Sequence, residues 1–322
     1  MESKNLSLII PTFKREGQLI KILNSLKKQH KNNFQLEIII CDSFSGYITN
    51  NFPEENDNFK IKYFNIEDNI LSSKRNYGIK KTQFVNIILI DDDCIPDENF
   101  IETYQKDFHK IDDKTIISGI VDYPEEYILK YNHIKYKDSR HFKINDELNK
   151  NDLNPDKIVA MNMGFKNSSK TKILGYFNEK FIGYGFEDYE FACRYKEHGF
   201  KLKQSKSRII HDEGEPEFDK YLIKYYHLAR DGMKNLISIN ELYAKNTIYF
   251  KLEKNFFFRL ITKIPKLIYL LILLKKLVLK TDKYKFMYFS GLYSFARLSS
   301  YMRGFIDRNE NISKSKKENW YE

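Results

Sequence analysis

Phe84-Val85-Asn86-Ile87-Ile88-Leu89-Ile90 runs straight into Asp91-Asp92-Asp93. The first seven residues form an apolar run of strand length, rich in Ile, as expected of a strand buried on both faces of a parallel sheet. Three adjacent carboxylates repel one another unless a cation is present, and hard oxygen ligands suit a hard divalent cation. Placed at the carboxyl end of a buried strand, the cluster predicts a metal-dependent enzyme that handles a nucleotide diphosphate compound.

The residues upstream set the sheet. Leu6-Ser7-Leu8-Ile9-Ile10 reads as a buried strand ending at Pro11-Thr12, and the next helix carries Leu19, Ile22, Leu23 and Leu26 on one stripe. Glu37-Ile38-Ile39-Ile40-Cys41 ends at Asp42, and Lys60-Ile61-Lys62-Tyr63-Phe64 leads to a short helix over 73–80. This alternation is the rhythm of a doubly wound parallel α/β sheet, whose ligands bind beyond the carboxyl ends of the strands. Thr12, Asp42 and the aspartate cluster all fall there.

Downstream, a helix bearing Phe100, Tyr104 and Phe108 and a strand over 115–121 continue the pattern. Residues 123–156 are polar, aromatic and poorly periodic, and read as an inserted segment. A strand is expected over 158–163, a helix over 187–197 closed by His198-Gly199, and a strand over 201–210. Phe218, Leu222, Tyr225, Ala229, Met233 and Leu236 then form a helical stripe, and a basic, aromatic and aliphatic helical region begins near 250.

The 322 residues carry a formal charge of +10, which favours anionic partners without choosing among nucleotide sugars, lipid headgroups and nucleic acid. Cys41, Cys94 and Cys193 lack the spacing of a metal site and fit a reducing cytoplasm. Met1-Glu2-Ser3-Lys4-Asn5 enters a strand pattern directly, so no signal peptide is expected. Lys266, Lys275 and Lys276 interrupt the apolar stretch 264–279, leaving less than the roughly 20 residues that span a bilayer.

Each candidate residue has a chemical reason. Asp93 suits Mg²⁺ or Mn²⁺, Asp91 a ribose or sugar hydroxyl, and strand alternation would turn Asp92 the other way. His211, ending a strand before Asp212-Glu213-Gly214, offers a nitrogen ligand for the same cation. Glu187 and Asp188 open a helix after Gly183-Tyr184-Gly185-Phe186, where unpaired N–H groups favour negative charge and bare glycines admit an acceptor. Within Ser72-Ser73-Lys74-Arg75-Asn76-Tyr77-Gly78 a cation is available for a phosphate or a uracil carbonyl, and Asp42 suits a base N–H.

Five pieces in this order, Ile9-Ile10-Pro11-Thr12-Phe13-Lys14-Arg15-Glu16, Ile40-Cys41-Asp42-Ser43, Lys74-Arg75-Asn76-Tyr77-Gly78, Leu89-Ile90-Asp91-Asp92-Asp93 and the run 175–191, resemble the inverting GT-A glycosyltransferases of family 2. The later half resembles the variant with a galactosyltransferase-type carboxyl-terminal motif, and the match covers 6–213. The resemblance implies a GT-A fold: α/β, Rossmann-like, a mostly parallel sheet flanked by helices, here with a C-terminal helical appendage. It implies a catalytic domain over 1–215, with a donor half to about 120 and an acceptor half over 121–215, and a helical region over 216–322.

By position the resemblance implies donor contacts from Thr12, Asp42, Arg75 and Asp91. It implies Asp93 and His211 on Mn²⁺ or Mg²⁺, Asp188 as catalytic base, and Glu187, Tyr184 and Gly185 at the acceptor. Two departures stand out: Asp42-Ser43-Phe44-Ser45-Gly46 replaces the usual run of Asp, Gly, Ser and Asp, and Tyr184 stands where a tryptophan is usual.

The expected activity is inverting transfer of a hexose or N-acetylhexosamine from a UDP-sugar to a saccharide or lipid-linked acceptor in bacterial surface polysaccharide synthesis. Lys251 to Lys280 alternate with bulky apolar residues, the makeup of a helix in a membrane interface, so a cytoplasmic protein peripheral at the inner face of the membrane is expected. Two other classes compete. A sugar-nucleotide nucleotidyltransferase would share the sheet and aspartates, yet Pro11-Thr12-Phe13-Lys14 stands where its Gly-rich phosphate loop belongs. A basic membrane or nucleic-acid binding module is the non-enzymatic reading, with nucleic acid the least favoured partner.

Overall fold

The computed structural model describes residues 4–31, 33–44, 51–141 and 152–310. The chain divides into two compact units. One comprises Met1–Pro124, His141–Glu179 and Glu187–Glu213; the other comprises Glu125–Arg140, Lys180–Phe186 and Gly214–Glu322.

The first unit holds eight described strands: β1 (Leu6–Thr12), β2 (Leu36–Asp42), β3 (Phe59–Asn65), β4 (Asn86–Ile90), β5 (Cys94–Pro96), β6 (Thr115–Asp122), β7 (Asn162–Lys166) and β8 (Lys201–His211). They form one sheet in the order β3-β2-β1-β4-β7-β6-β8-β5. The four strands from β3 to β4 are parallel throughout, while β7 runs antiparallel to both neighbours and β5 antiparallel to β8. The sheet is therefore mixed, with a parallel half as the alternating strands and helices predict.

The apolar runs of β1, β2 and β4 are buried because helices cover both faces. Side-chain alternation assigns Leu6, Leu8, Ile10, Leu36, Ile38, Ile40, Ile88 and Ile90 to one core, with Leu19, Ile22, Leu23 and Leu26 of the helix Glu16–Gln29 packed on it. Ile9, Ile39, Cys41, Ile87 and Leu89 face the other core, where Phe191, Ala192 and Tyr195 of the helix Glu187–Glu197 pack. All three cysteines are free and buried.

One expectation needs correction. The strand expected over 158–163 begins at Asn162, because Ile158 and Ala160 bury their side chains from a non-strand segment that turns into β7. Within the poorly periodic segment 123–156, read as an insertion, helices form at Glu125–Lys130 and Asn132–Arg140, which belong to the second unit. The burial of Asn132–Arg140 comes from partners far along the chain: His133 Nδ1 lies 2.6 Å from Asp282 Oδ2 and the Tyr136 ring stacks on Tyr293. Local periodicity cannot register such pairings. Residues 142–151 lie outside the described residues.

The second unit is helical. Phe218–His227, a π turn at Leu228–Gly232 and Met233–Ile239 follow one another without a break. Against the first two packs Ser290–Asn309, close enough that a Cβ on Gly304 would stand 2.1 Å from the Tyr226 carbonyl oxygen. Between them the chain forms Glu241–Asn246, Ile248–Lys254, Phe256–Thr262 and Pro265–Thr281. Among the described residues no helix is long and apolar enough to cross a membrane.

Candidate active site

The site of the first unit lies past the carboxyl ends of β1, β4 and β8, where β1 has β2 on one side and β4 on the other, a topological switch point. β4 stops at Ile90, so Asp91, Asp92 and Asp93 follow a turn and strand alternation no longer dictates their directions. Asp91 Oδ1 accepts from Arg75 Nη2 at 2.8 Å. Asp92 turns to the end of β1, accepting from Thr12 Oγ1 at 2.8 Å and the Phe13 N–H at 3.2 Å. Asp93 meets Arg15 Nη1, which also lies 3.6 Å from Asp92.

β5 carries the strand argument across the sheet. Cys94 pairs with His211 in antiparallel register, and the Asp212 N–H donates to the Asp93 carbonyl at 2.8 Å. This backbone pairing places His211 Nε2 at 3.3 Å from Asp93 Oδ2 and 3.5 Å from Glu213 Oε1. One ligand atom from each of Asp93, His211 and Glu213 lies within 4.8 Å of the others.

Ligands at about 2.1–2.2 Å from a six-coordinate cation stand roughly 3 Å apart when adjacent, so two carboxylates and an imidazole at these separations fit a divalent oxophilic ion. His211 and Asp93 are both buried, which leaves few solvent alternatives for the ring and carboxylate. Glu213 escapes sequence reasoning because it lies in the turn after β8, with no periodic signal.

A second group lies on the other side of Asp91. Arg75, on the helix Leu71–Lys80, is 1% exposed, and its Nη1 donates to Asp188 Oδ1 at 3.1 Å and to Glu187 Oε1 at 3.4 Å. Burial lowers the affinity of this guanidinium for its proton, but Asp91, Asp188 and Glu187 outweigh it, and its pKa rises. Asp188 Oδ2 also accepts from the Ala160 N–H at 2.9 Å. Burial pushes the Asp188 carboxyl up to about 7, against the pull of Arg75 and with help from Glu187.

The arrangement is held from below. Asn76 donates to the Phe177 carbonyl at 2.8 Å and accepts the Phe177 N–H at 2.9 Å, tying the helix of Arg75 to the segment before the acidic pair. Phe191 stacks between Phe177 and Tyr195, with ring centroids 4.7 and 4.1 Å away, fixing the helix that Glu187 and Asp188 begin.

Thr12 is buried, and its carbonyl accepts from Lys74 Nζ at 2.8 Å. Burial lowers the pKa of Lys74, with Asp42 and Asp92 opposing it. Asp42 is fully buried: Oδ1 accepts the Phe44 N–H at 2.8 Å and Oδ2 the Tyr63 hydroxyl at 2.5 Å. Burial pushes the Asp92 carboxyl up to about 6, with Arg15 opposing. Ser45 and Gly46, part of the departure after β2, lie outside the described residues.

Tyr184 and Gly185 belong to the second unit. Tyr184 is 47% exposed, and Gly183 and Gly185 on either side have φ of +97° and +99°, a backbone open to glycine and strained for other residues. The structure thus gathers Thr12, Asp42, Arg75, Asp91, Asp93, Glu187, Asp188 and His211 in the first unit, and adds Arg15, Lys74 and Glu213 to them.

The family model described as glycosyl transferase family 2 matches residues 7–171, and that described as the N-terminal domain of galactosyltransferase matches 140–213. No curated protein matches the chain. Among solved structures, a mannosyltransferase from Pyrobaculum calidifontis in complex with GDP-Man and Mn²⁺ is 13% identical with a TM-score of 0.57, over 96% of this chain and 88% of that one. S. aureus TarS 1–349 is 11% identical with a TM-score of 0.45, over 95% of this chain and 92% of that one. GalNAc-T7 with UDP, GalNAc and Mn²⁺ is 15% identical with a TM-score of 0.47, over 81% of this chain and 58% of that one. The first of these likenesses shows the fold.

Proposed function

The chain belongs to glycosyl transferase family 2, and from that membership we propose that it transfers a hexose or N-acetylhexosamine, with inversion, from a UDP-sugar to a saccharide or lipid-linked acceptor in bacterial surface polysaccharide synthesis. One observation carries the reading. A ligand set for a divalent cation, Asp93, His211 and Glu213, shares a strand end with an Arg75-bridged acidic group that contains a carboxylate suited to proton transfer.

The donor half is assigned to about 1–120, with Thr12, Asp42, Arg75 and Asp91 on the nucleotide side. The acceptor half is assigned to 121–215, with Glu187, Tyr184 and Gly185 on the acceptor, and the helical region to 216–322. Asp93, His211 and Glu213 would hold Mn²⁺ or Mg²⁺, which when bound supplies positive charge to a diphosphate. The mannosyltransferase complex with Mn²⁺ supports that choice of ion.

The chemistry of this chain's own residues follows. Asp188 takes the proton of the acceptor hydroxyl as its oxygen forms a bond to the anomeric carbon. The bond from that carbon to the diphosphate oxygen breaks on the opposite face, and its electron pair leaves with the diphosphate. Arg75 favours the ionised form of Asp188 against the effect of burial and holds it in place while sharing its charge with Asp91 and Glu187.

The second unit supports a peripheral membrane location. Phe256, Phe257, Leu260, Leu273, Leu277 and Phe286 are exposed among Lys254, Lys263, Lys276 and Lys280, which suits insertion beside anionic headgroups.

A panel of nucleotide sugars tests the function. With Mn²⁺, at least one UDP-sugar is expected to raise the melting temperature and to release UDP, at a stabilisation of about 2.7 kcal/mol when ligand is a hundredfold above Kd. No shift with any nucleotide diphosphate would return the chain to the non-enzymatic reading. Synthesis of a nucleotide sugar from a nucleoside triphosphate and a sugar phosphate would favour the nucleotidyltransferase.

A further inference from the structure

Within the second unit, the loop bearing Gly183, Tyr184 and Gly185 rests on the π turn Leu228–Gly232. A Cβ on Gly232 would stand 2.6 Å from the Tyr184 carbonyl oxygen, and one on Gly185 would stand 2.4 Å from Leu228 Cδ1. Asn235 Nδ2 donates to the Ile182 carbonyl at 2.9 Å. The wide turn thus seats the whole loop, and π turns of this kind concentrate at functional sites.

The same turn aims a carboxylate at the loop. A Cβ on Gly183 would lie 3.4 Å from Asp231 Cβ and 3.7 Å from Asp231 Oδ2, so the carboxylate flanks bare backbone. Arg230 Nε donates to Asp231 Oδ1 at 2.7 Å and Arg230 Nη2 to Asp231 Oδ2 at 2.5 Å, while His227 Nδ1 lies 3.0 Å from Oδ2. A side chain gripped this way cannot swing, yet Asp231 keeps 26% of its surface exposed.

We propose that Asp231 is a specificity-determining residue of the acceptor subsite: its carboxylate accepts a hydrogen bond from a hydroxyl of an uncharged hexose unit whose ring lies on Tyr184. This rests on the reading of the 183–185 loop as the acceptor loop. The two groups divide the recognition of a sugar between them, since an exposed aromatic ring covers the apolar C–H face and a fixed acceptor selects a hydroxyl. Burial favours the neutral carboxyl, but the His227 and Arg230 hydrogen bonds prevail and pull Asp231 down to about 2. It therefore stays ionised in the working pH range and serves as a hydrogen-bond acceptor rather than as a base. No other carboxylate chemistry in the mechanism uses it.

The test uses the full chain with UDP and Mn²⁺ and a panel of methyl hexosides and methyl N-acetylhexosaminides, with binding read by saturation-transfer NMR. The wild type binds at least one glycoside, and Asp231→Asn and Tyr184→Ala each bind it about tenfold or more weakly. Thermal stabilisation by UDP with Mn²⁺ stays the same in all three. Unchanged glycoside binding by Asp231→Asn overturns the proposal, as does a wild type that binds none of the panel. Loss of the UDP response along with glycoside binding overturns it too, because Asp231 would then support the fold and not the subsite. Where Asp231→Asn does not fold, Asp231→Glu displaces the carboxylate by one methylene and the same selective loss is expected. A wild type with no UDP response but with Asp231-dependent glycoside binding would refute the UDP-sugar reading and leave this subsite standing.

Discussion

Arg75 and Asp188 lie 3.1 Å apart, and the pair determines how the proposed base behaves. A carboxyl raised by burial to about 7 is deprotonated above that pH and protonated below it, and only the deprotonated form takes a proton. The rate at low acceptor concentration is therefore expected to fall about tenfold per pH unit below about 7 and to level off above it. A flat profile between pH 5 and 7 would exclude Asp188 as the base. Asp188→Asn keeps the size of the side chain and is expected to cost about 10²-fold or more in turnover while leaving UDP binding near normal, as read by steady-state kinetics beside a thermal shift. On the other side of Asp91, Glu213→Gln or His211→Ala is expected to weaken Mn²⁺ binding by about tenfold or more, visible in a metal titration followed by thermal shift. An unchanged titration would break the ligand set.

At the scale of elements, the short β5 and the long β8 position the candidate metal ligands. Their antiparallel register, Cys94 opposite His211, is what sets the imidazole against Asp93. The helix Glu187–Glu197 depends on a different contact, the ring of Phe191 between Phe177 and Tyr195. Phe191 is fully buried, so Phe191→Ala is expected to destabilise the protein by about 3–5 kcal/mol, measured by urea unfolding, through lost burial and the cavity left behind. A loss under about 1 kcal/mol would show that the stack does not anchor the helix. Most of these elements are legible in the amino-acid pattern, because an Ile-rich strand or a Leu stripe advertises its period. The helix Asn132–Arg140 is not, since His133, Tyr136 and Lys137 pack against residues more than seventy positions further along, among them Phe218, Tyr221, Asp282 and Tyr293.

At the scale of the whole molecule, basic and exposed apolar residues mix in the helices after 250, and this composition predicts salt-sensitive association with anionic vesicles. The full chain is expected to co-sediment with vesicles containing phosphatidylglycerol and to bind neutral vesicles less, with Phe256→Ser combined with Phe257→Ser weakening both. Equal binding to charged and neutral vesicles would remove the electrostatic part of the idea.

The amino-acid sequence by itself determined the order and type of most strands and helices, the carboxyl-terminal position of Thr12, Asp42 and the three aspartates, and the acidic start of the helix at Glu187. Each of these follows from local periodicity and from where charge is tolerated along a buried strand. Only the tertiary structure decided that β8 returns beside β5, that Glu213 joins Asp93 and His211, and that one guanidinium binds Asp91, Glu187 and Asp188 together. Apart from Arg75–Asp91 and His211–Glu213, which are close in sequence, those are contacts between residues more than a hundred positions apart. Their existence depends on strand pairing and on the need of a buried charge for partners, and neither leaves a periodic trace in the chain.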